Sequence, residues 1–107
     1  MKIQRISNEE KIYQTCFNDG ITFRASTDEI IEKLGEPDFR DEPTEKVTRE
    51  WDMELEDGTP FTIYDWKEYE EYEDDQKVDW HVGNNFRDKE SKGKIVEALA
   101  EIGFTCE

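Results

Sequence analysis

The chain has 107 residues, of which 40% are charged and 34% are hydrophobic, so the sequence predicts one domain with a small core built largely from aromatic side chains. Its 29 acidic residues outnumber its 14 basic residues, giving a formal net charge of −15. Because phosphate backbones and anionic membranes are bound by surplus lysine and arginine, this balance argues against direct binding to nucleic acid or to a membrane. An aromatic content of 12% and well-placed turn residues favour a folded chain over a disordered one.

The sequence gives no sign of a targeting segment. No apolar run approaches the roughly 18 residues of a transmembrane helix, and the first residues lack the apolar stretch of a secretory signal. We therefore expect a cytoplasmic protein. In that reducing compartment Cys16 and Cys106 are expected to be free thiols, although a disulfide between them would join the two ends of the chain.

The first quarter of the chain predicts an arm or short strand over residues 1–15 and then a β-hairpin. Asn18-Asp19-Gly20 is a strong turn signal between two candidate strands, Tyr13–Phe17 and Ile21–Ala25.

A helix is predicted to follow this hairpin. Ser26 with Glu29 three residues later has the spacing of a capping box, and Gly35 lies where the helix should end. The apolar stripe of the helix consists of Ile30, Ile31 and Leu34. Residues 36–45, which are acidic and contain two prolines, are predicted to form a loop.

Three strands are predicted in the middle of the chain, Val47–Leu55, Phe61–Trp66 and Val78–Val82. The first alternates between an apolar face and an acidic face, which is typical of a half-buried strand. The second is apolar on both faces, which indicates a central strand covered on both sides. The residues predicted to face the core are Val47, Trp51, Met53, Leu55, Phe61, Ile63, Val78, Trp80 and Val82.

The turn between the first two of these strands decides which residues face each other. A two-residue turn at Asp57-Gly58 would place Glu50 opposite Asp65, a repulsive pair, whereas a three-residue loop with Gly58 as a left-handed bulge places Arg49 opposite Asp65. Since directly opposed charges contribute roughly 0.2–1 kcal/mol, we favour the three-residue loop, which sets Trp51 opposite Ile63.

A second helix is predicted from Asp88 or Lys89 to Ile102, ending at Gly103 with Phe104 placed for the hydrophobic contact of the helix end. The element order is then β-β-α-β-β-β-α. This order predicts an α+β fold with an antiparallel sheet, formed by the N-terminal hairpin and a three-strand meander, and two helices in a single domain over residues 1–107.

The sequence offers little for catalysis. His81 is the one histidine, and neither cysteine nor any serine lies in a recognisable nucleophile motif. The acids that precede Gly58 fail the calcium-loop pattern, and no phosphate-binding glycine loop is present. We therefore expect no enzyme activity, no cofactor and no metal site, and we expect His81 to pack on Tyr64 or Trp66 at a partly exposed strand position.

The most unusual feature is an acidic run over residues 68–75, in which six of eight residues are acidic and two are tyrosines. It can be a solvated loop, or it can imitate a nucleic-acid backbone. If helical, it would carry about one charge per 2 Å, close to the ~1.7 Å of duplex DNA. The tyrosines would offer flat faces to the arginines of a partner.

A resemblance is carried by four short motifs, Glu50-Trp51, Asp57-Gly58, the Thr-Ile-Tyr-Asp-Trp-Lys stretch over 62–67 and Trp80-His81-Val82-Gly83. Together with Leu34-Gly35-Glu36-Pro37 upstream, they resemble a pattern in small proteins of tailed bacteriophages, over roughly residues 23–100. The sequence departs from that pattern at Asn84, where a second glycine is usual, and in its more acidic 68–77 segment. The resemblance implies viral origin and a site of action inside the host cell.

These observations lead to three hypotheses of function. In the first, the protein inhibits a basic, nucleic-acid-binding host protein of defence or replication by nucleic-acid mimicry. The second is an accessory binding module that forms a homodimer through an aromatic sheet face, and the third is a small enzyme or ligand sequesterer. The residues predicted to bind the partner are Tyr64, Trp66, Glu68, Glu70, Glu71, Tyr72, Glu73, Asp74, Asp75 and His81.

Overall fold

A computed structural model of the chain describes residues 2–6, 21–40, 49–65, 73–83 and 89–106. These residues form an α+β fold in the predicted order of strands and helices. The elements are β1 (Ile3–Arg5), β2 (Thr22–Ser26), α1 (Thr27–Leu34), β3 (Phe39–Arg40), β4 (Arg49–Leu55), β5 (Pro60–Tyr64), β6 (Lys77–Gly83) and α2 (Lys89–Glu101).

The strands form one antiparallel sheet in the order β1-β4-β5-β6-β2, with the two-residue β3 also pairing with β4. β1 lies beside the end of β4 and β3 beside its beginning, so both occupy the same edge of that strand. The predicted central strand, β5, lies in the middle of the sheet, which confirms the interpretation of its two apolar faces.

The predicted register between β4 and β5 is correct. Trp51 faces Ile63 and Met53 faces Phe61. The three-residue loop is closed by a hydrogen bond of 2.8 Å from the Gly58 N–H to the Leu55 carbonyl, and Gly58 has a φ of +90°. A left-handed φ of this kind strongly favours glycine, which explains why the loop ends there.

The capping box of α1 forms as predicted. The Ser26 hydroxyl accepts a hydrogen bond of 3.2 Å from the Glu29 N–H, and the Glu29 carboxylate accepts one of 3.2 Å from the Ser26 N–H. At the other end the Gly35 N–H donates to the Ile31 carbonyl at 2.8 Å. The helix is therefore fixed at both ends by local sequence signals.

Some elements differ from the sequence predictions in their partners or bounds. β2 forms where expected but pairs with β6, while its predicted hairpin partner, Tyr13–Phe17, lies outside the described residues. The 36–45 loop contains the short strand β3, because the edge of β4 at Arg49 and Glu50 accepts a partner there. β5 ends at Tyr64 rather than at Trp66, and Trp66, Val47 and Thr48 lie outside the described residues.

The core lies between one face of the sheet and the two helices, and it contains those predicted inward residues that the structure describes. The rings of Trp51 and Trp80 meet edge to face with centroids 5.2 Å apart, and both are fully buried. Their indole N–H groups donate to the Gly35 carbonyl at 2.8 Å and to the Ala25 carbonyl at 2.9 Å. The two indole N–H groups thus find acceptors just before and just after α1, which ties both ends of that helix to the sheet.

Candidate functional site

The acidic run is described only at its C-terminal end. Glu73 and Asp75 are exposed and Asp74 is half-buried in a turn that leads into β6. The turn is closed by a hydrogen bond of 3.0 Å from the Gln76 N–H to the Glu73 carbonyl. The remaining predicted contact residues of the run and the adjoining tryptophan lie outside the described residues, namely Trp66, Glu68, Glu70, Glu71 and Tyr72.

Asp74 has a structural role that the acidic run alone does not predict. Its carboxylate lies 3.0 Å from the guanidinium of Arg49, whose side chain is only 14% exposed. Arg49 also donates to the Thr27 hydroxyl at 3.2 Å, and the Asp74 carbonyl accepts a hydrogen bond of 2.9 Å from the Asp28 N–H. One signal was present in the sequence: Arg49 is a cation on the apolar face of its strand, where a buried charge needs a partner.

These contacts join the acidic run to the first turn of α1. Asp28 is exposed, and Glu32, one helical turn further along the same face, is exposed as well. Two acidic segments that lie more than 40 residues apart in sequence therefore meet on one side of the molecule. We refer to Asp28, Glu32, Glu73 and Asp75 together as the acidic surface.

Several basic side chains among the described residues are paired with carboxylates. Four exposed or half-exposed cations each lie within 4 Å of a carboxylate, in the pairs Arg5–Asp38, Arg24–Asp79, Lys77–Glu29 and Lys94–Asp57. Lys77 borders the acidic surface and is directed to Glu29 at 3.8 Å. Exposed pairs of this kind add little stability. A cation that is already paired with a carboxylate does, however, repel a basic partner less than an unpaired one.

Of the ring side chains predicted for the site, the structure describes Tyr64 and His81. Tyr64 and His81 are cross-strand neighbours whose rings stack with centroids 5.6 Å apart, which confirms that His81 packs on Tyr64. Tyr64 is completely buried, whereas His81 is half-buried. In this conformation Tyr64 has no surface with which to contact a partner, whereas His81 remains partly exposed beside it.

The second face of the sheet carries an unexpected polar layer. The acidic side of β4 was predicted to be the solvent side of a half-buried strand, but Glu54 is 1% exposed. Its carboxylate accepts a hydrogen bond of 3.2 Å from the Gln4 side-chain amide. Glu50 and Asp52 are half-buried, and their cross-strand neighbours Tyr64 and Thr62 are buried. The prediction was wrong for Glu54 because this face of the sheet is covered as well.

Glu50 is the most perturbed acid in this layer. Burial, a hydrogen bond with the Asp52 carboxyl group and the negative charges of Asp52 and Asp38 raise the pKa of Glu50 to about 8. Despite this concentration of carboxyl groups, no three potential ligands among the described residues are arranged to hold a metal ion.

The cysteines offer no reactive centre in the described part of the chain. Cys106 is a free, half-buried thiol with its sulfur 3.9 Å from the Phe104 carbonyl, and burial raises its pKa to about 11. The prediction of a free thiol is confirmed for Cys106, while Cys16 lies outside the described residues.

Within the described ranges, neither helix has the length and apolarity required to cross a bilayer. No protein-family model matches the sequence, and neither the curated proteins nor the solved structures contain a match.

Proposed function

We propose that this protein is a bacteriophage-encoded inhibitor that binds a basic, nucleic-acid-binding surface of a host defence or replication protein, taking the place of the nucleic acid. The observation that carries the proposal is the acidic surface, in which a backbone hydrogen bond joins α1 to the acidic run and both segments carry exposed acidic residues. The protein would act in the host cytoplasm and would need no catalytic group, cofactor or metal.

The charge distribution supports this function in two ways. A net charge of −15 creates a field that accelerates encounter with a basic partner, by factors of roughly 10–10³ at low salt. The ion pairs among the described cations leave the excess negative charge on acids such as Glu73 and Asp75. Attraction of this kind weakens as salt rises, because it depends on unscreened charges.

The anchoring of Asp74 supports the proposal as well. Because Arg49 and the Asp28 N–H hold the turn, Glu73 and Asp75 are positioned before a partner arrives. Binding then costs less conformational entropy than it would if this part of the run became ordered only on contact. Immobilising one side chain on binding costs about 0.5–1.5 kcal/mol.

The accessory-module alternative is less well supported. It requires an aromatic sheet face through which two copies associate, and Tyr64, one of the three residues predicted for that face, is buried. The described residues therefore favour the acidic surface over the aromatic face as the place where a partner binds.

The proposal can be tested with charge-neutralising variants in a pull-down from bacterial lysate at low and high salt. The test variant is Glu73→Gln/Asp75→Asn, and a second one, Asp28→Asn/Glu32→Gln, addresses the helical half of the surface. The matched control is Glu56→Gln/Asp57→Asn, which removes two exposed acids from the turn at the other end of β4, about 20 Å away along the strand.

We expect the wild-type protein and the control to retain the same nucleic-acid-binding protein at low salt and to lose it at high salt. Both test variants should retain much less of it. Equal retention by the wild type and the test variants would show that the acidic surface does not bind the partner, as would retention that does not depend on salt.

A further inference from the structure

A groove of about 470 Å³ is lined by residues from β1 and from the C-terminal ends of both helices. Its apolar lining consists of Ile3 of β1, Leu34 at the end of α1 and Ile102 just after α2. These three side chains pack against the core and are still partly exposed. Apolar surface that is rimmed by polar residues is typical of an interaction site, because covering it removes that surface from water.

The charged residues that line the groove are balanced in sign. Lys2 and Lys33 contribute two positive charges, and Glu56 and Glu101 contribute two negative charges. All four residues are exposed. The net charge of −15 is therefore carried by residues outside the groove. Two copies of this acidic chain repel each other less at such a locally neutral place than at the acidic surface.

The arrangement of the charges suits a second copy of the same chain. Lys33 lies in the last turn of α1, and Glu101 is the last residue of α2. A twofold axis repeats every contact between two copies with the roles exchanged. If Lys33 of one copy faces Glu101 of the other, Glu101 of the first copy therefore faces Lys33 of the second. A strongly basic partner or an anionic ligand would instead meet two like charges in the groove.

We propose that two copies of this protein associate through this groove as a twofold-symmetric dimer, in which the apolar linings meet and Lys33 pairs with Glu101 across the axis. Lys33 and Leu34 place the last turn of α1 on the wall of the groove, so this turn can enter the groove of the other copy. No residue of the acidic surface lines the groove. The dimer therefore does not depend on the proposed function.

The dimer is expected to be weak and to respond to salt in an unusual direction. A standard interface uses roughly 20–30 residues of each partner, and few residues line the groove. The two chains also repel each other over a distance, because each has a net charge of −15. Salt screens this repulsion but leaves apolar contact in place. Dimerisation should therefore strengthen as salt rises, whereas binding to a basic partner should weaken.

The first test is analytical ultracentrifugation of the purified protein over about a hundredfold range of concentration, at low and moderate salt. We expect a concentration-dependent dimer in the wild type. Lys33→Glu and Glu101→Lys should each raise its dissociation constant by roughly tenfold, because each turns two attractive contacts into repulsive ones. An equimolar mixture of the two variants should dimerise about as well as the wild type, since the exchanged charges then attract each other.

The matched control is Lys92→Glu, which makes the same change of charge at an exposed position of α2 outside the groove. It should dimerise nearly as well as the wild type. A wild-type protein that stays monomeric throughout, a mixture that does not restore the dimer, or a control that loses it like Lys33→Glu would overturn the proposal.

The second test needs no variant. Nitrogen-15 NMR spectra of the wild type are recorded over the same range of concentration at moderate salt. We expect the amide signals of Ile3, Leu34 and Ile102 to shift as the concentration rises. If the shifts that depend on concentration are confined to residues outside the groove, the two copies meet elsewhere and the proposed interface is wrong.

Discussion

The Arg49 guanidinium lies 3.0 Å from the Asp74 carboxylate, so one carboxylate of the acidic run is already bound by an arginine of the same chain. This contact separates the run into two kinds of acid. Asp74 fixes the turn against β4 and α1, whereas Glu73 and Asp75 on either side of it remain exposed. The negative charge of the run therefore serves the fold at one position and is available for a partner at its neighbours.

This difference predicts unequal effects of two adjacent substitutions. Asp74→Asn removes the charge partner of a largely buried arginine, and we expect it to lower the free energy of unfolding by about 1–2 kcal/mol. Asp75→Asn changes an exposed side chain and should stay within about 0.5 kcal/mol of the wild type. Urea denaturation of the two variants measures both values, and equal effects would show that the Arg49 contact does not stabilise the turn.

Alanine substitutions at two glycines should have opposite effects on the free energy of unfolding. Gly58→Ala places a side chain at a φ of +90°, and we expect a loss of about 1–2 kcal/mol. Gly93→Ala lies in α2, where an added methyl group meets nothing within 4 Å, and should raise stability by up to about 1 kcal/mol. The same denaturation assay distinguishes them. Little or no destabilisation by Gly58→Ala would argue against the three-residue loop and with it against the register of the sheet.

The Cys106 thiol is expected to react slowly. Burial raises its pKa to about 11 from an ordinary 9.0, so its thiolate fraction at pH 8 should be about 100-fold lower than that of a free cysteine. The measurement is the rate of alkylation by iodoacetamide in a Cys16→Ser variant, with the same variant unfolded in urea as the control. Similar rates in the two states would show that the thiol is not protected by the fold.

Much of the fold could be predicted because its signals are local. The Ser26–Glu29 capping box, the glycine at position 58 and the alternation in β4 each determine structure within a few residues. The register of β4 against β5 followed from which charges would oppose each other, and Arg49 does lie opposite Asp65, whose carboxylate accepts a hydrogen bond from the Arg49 backbone N–H. The pairing of β2 with β6 was not predicted, because partners that lie some 55 residues apart leave no local signal.

The site was harder to predict because burial on the second face depends on the whole sheet. The two apolar faces of β5 indicated that the sheet is covered on both sides, and the same reasoning applied to β4 would have placed Glu54 in the interior. Alternation alone suggested that its acids face water. The role of Asp74 was hidden for a related reason, since a run of acids does not show which member is paired with a distant arginine.

The central claim is that the acidic surface occupies the site of a nucleic acid on its partner, and a displacement assay tests it most directly. The captured host protein is saturated with fluorescent duplex DNA, and this protein is added while fluorescence anisotropy is recorded. We predict that the wild type and Glu56→Gln/Asp57→Asn release the DNA, and that Glu73→Gln/Asp75→Asn requires a much higher concentration to do so. If the wild type binds the partner without releasing DNA, or if the Glu73→Gln/Asp75→Asn variant releases it as readily as the wild type, the claim is contradicted.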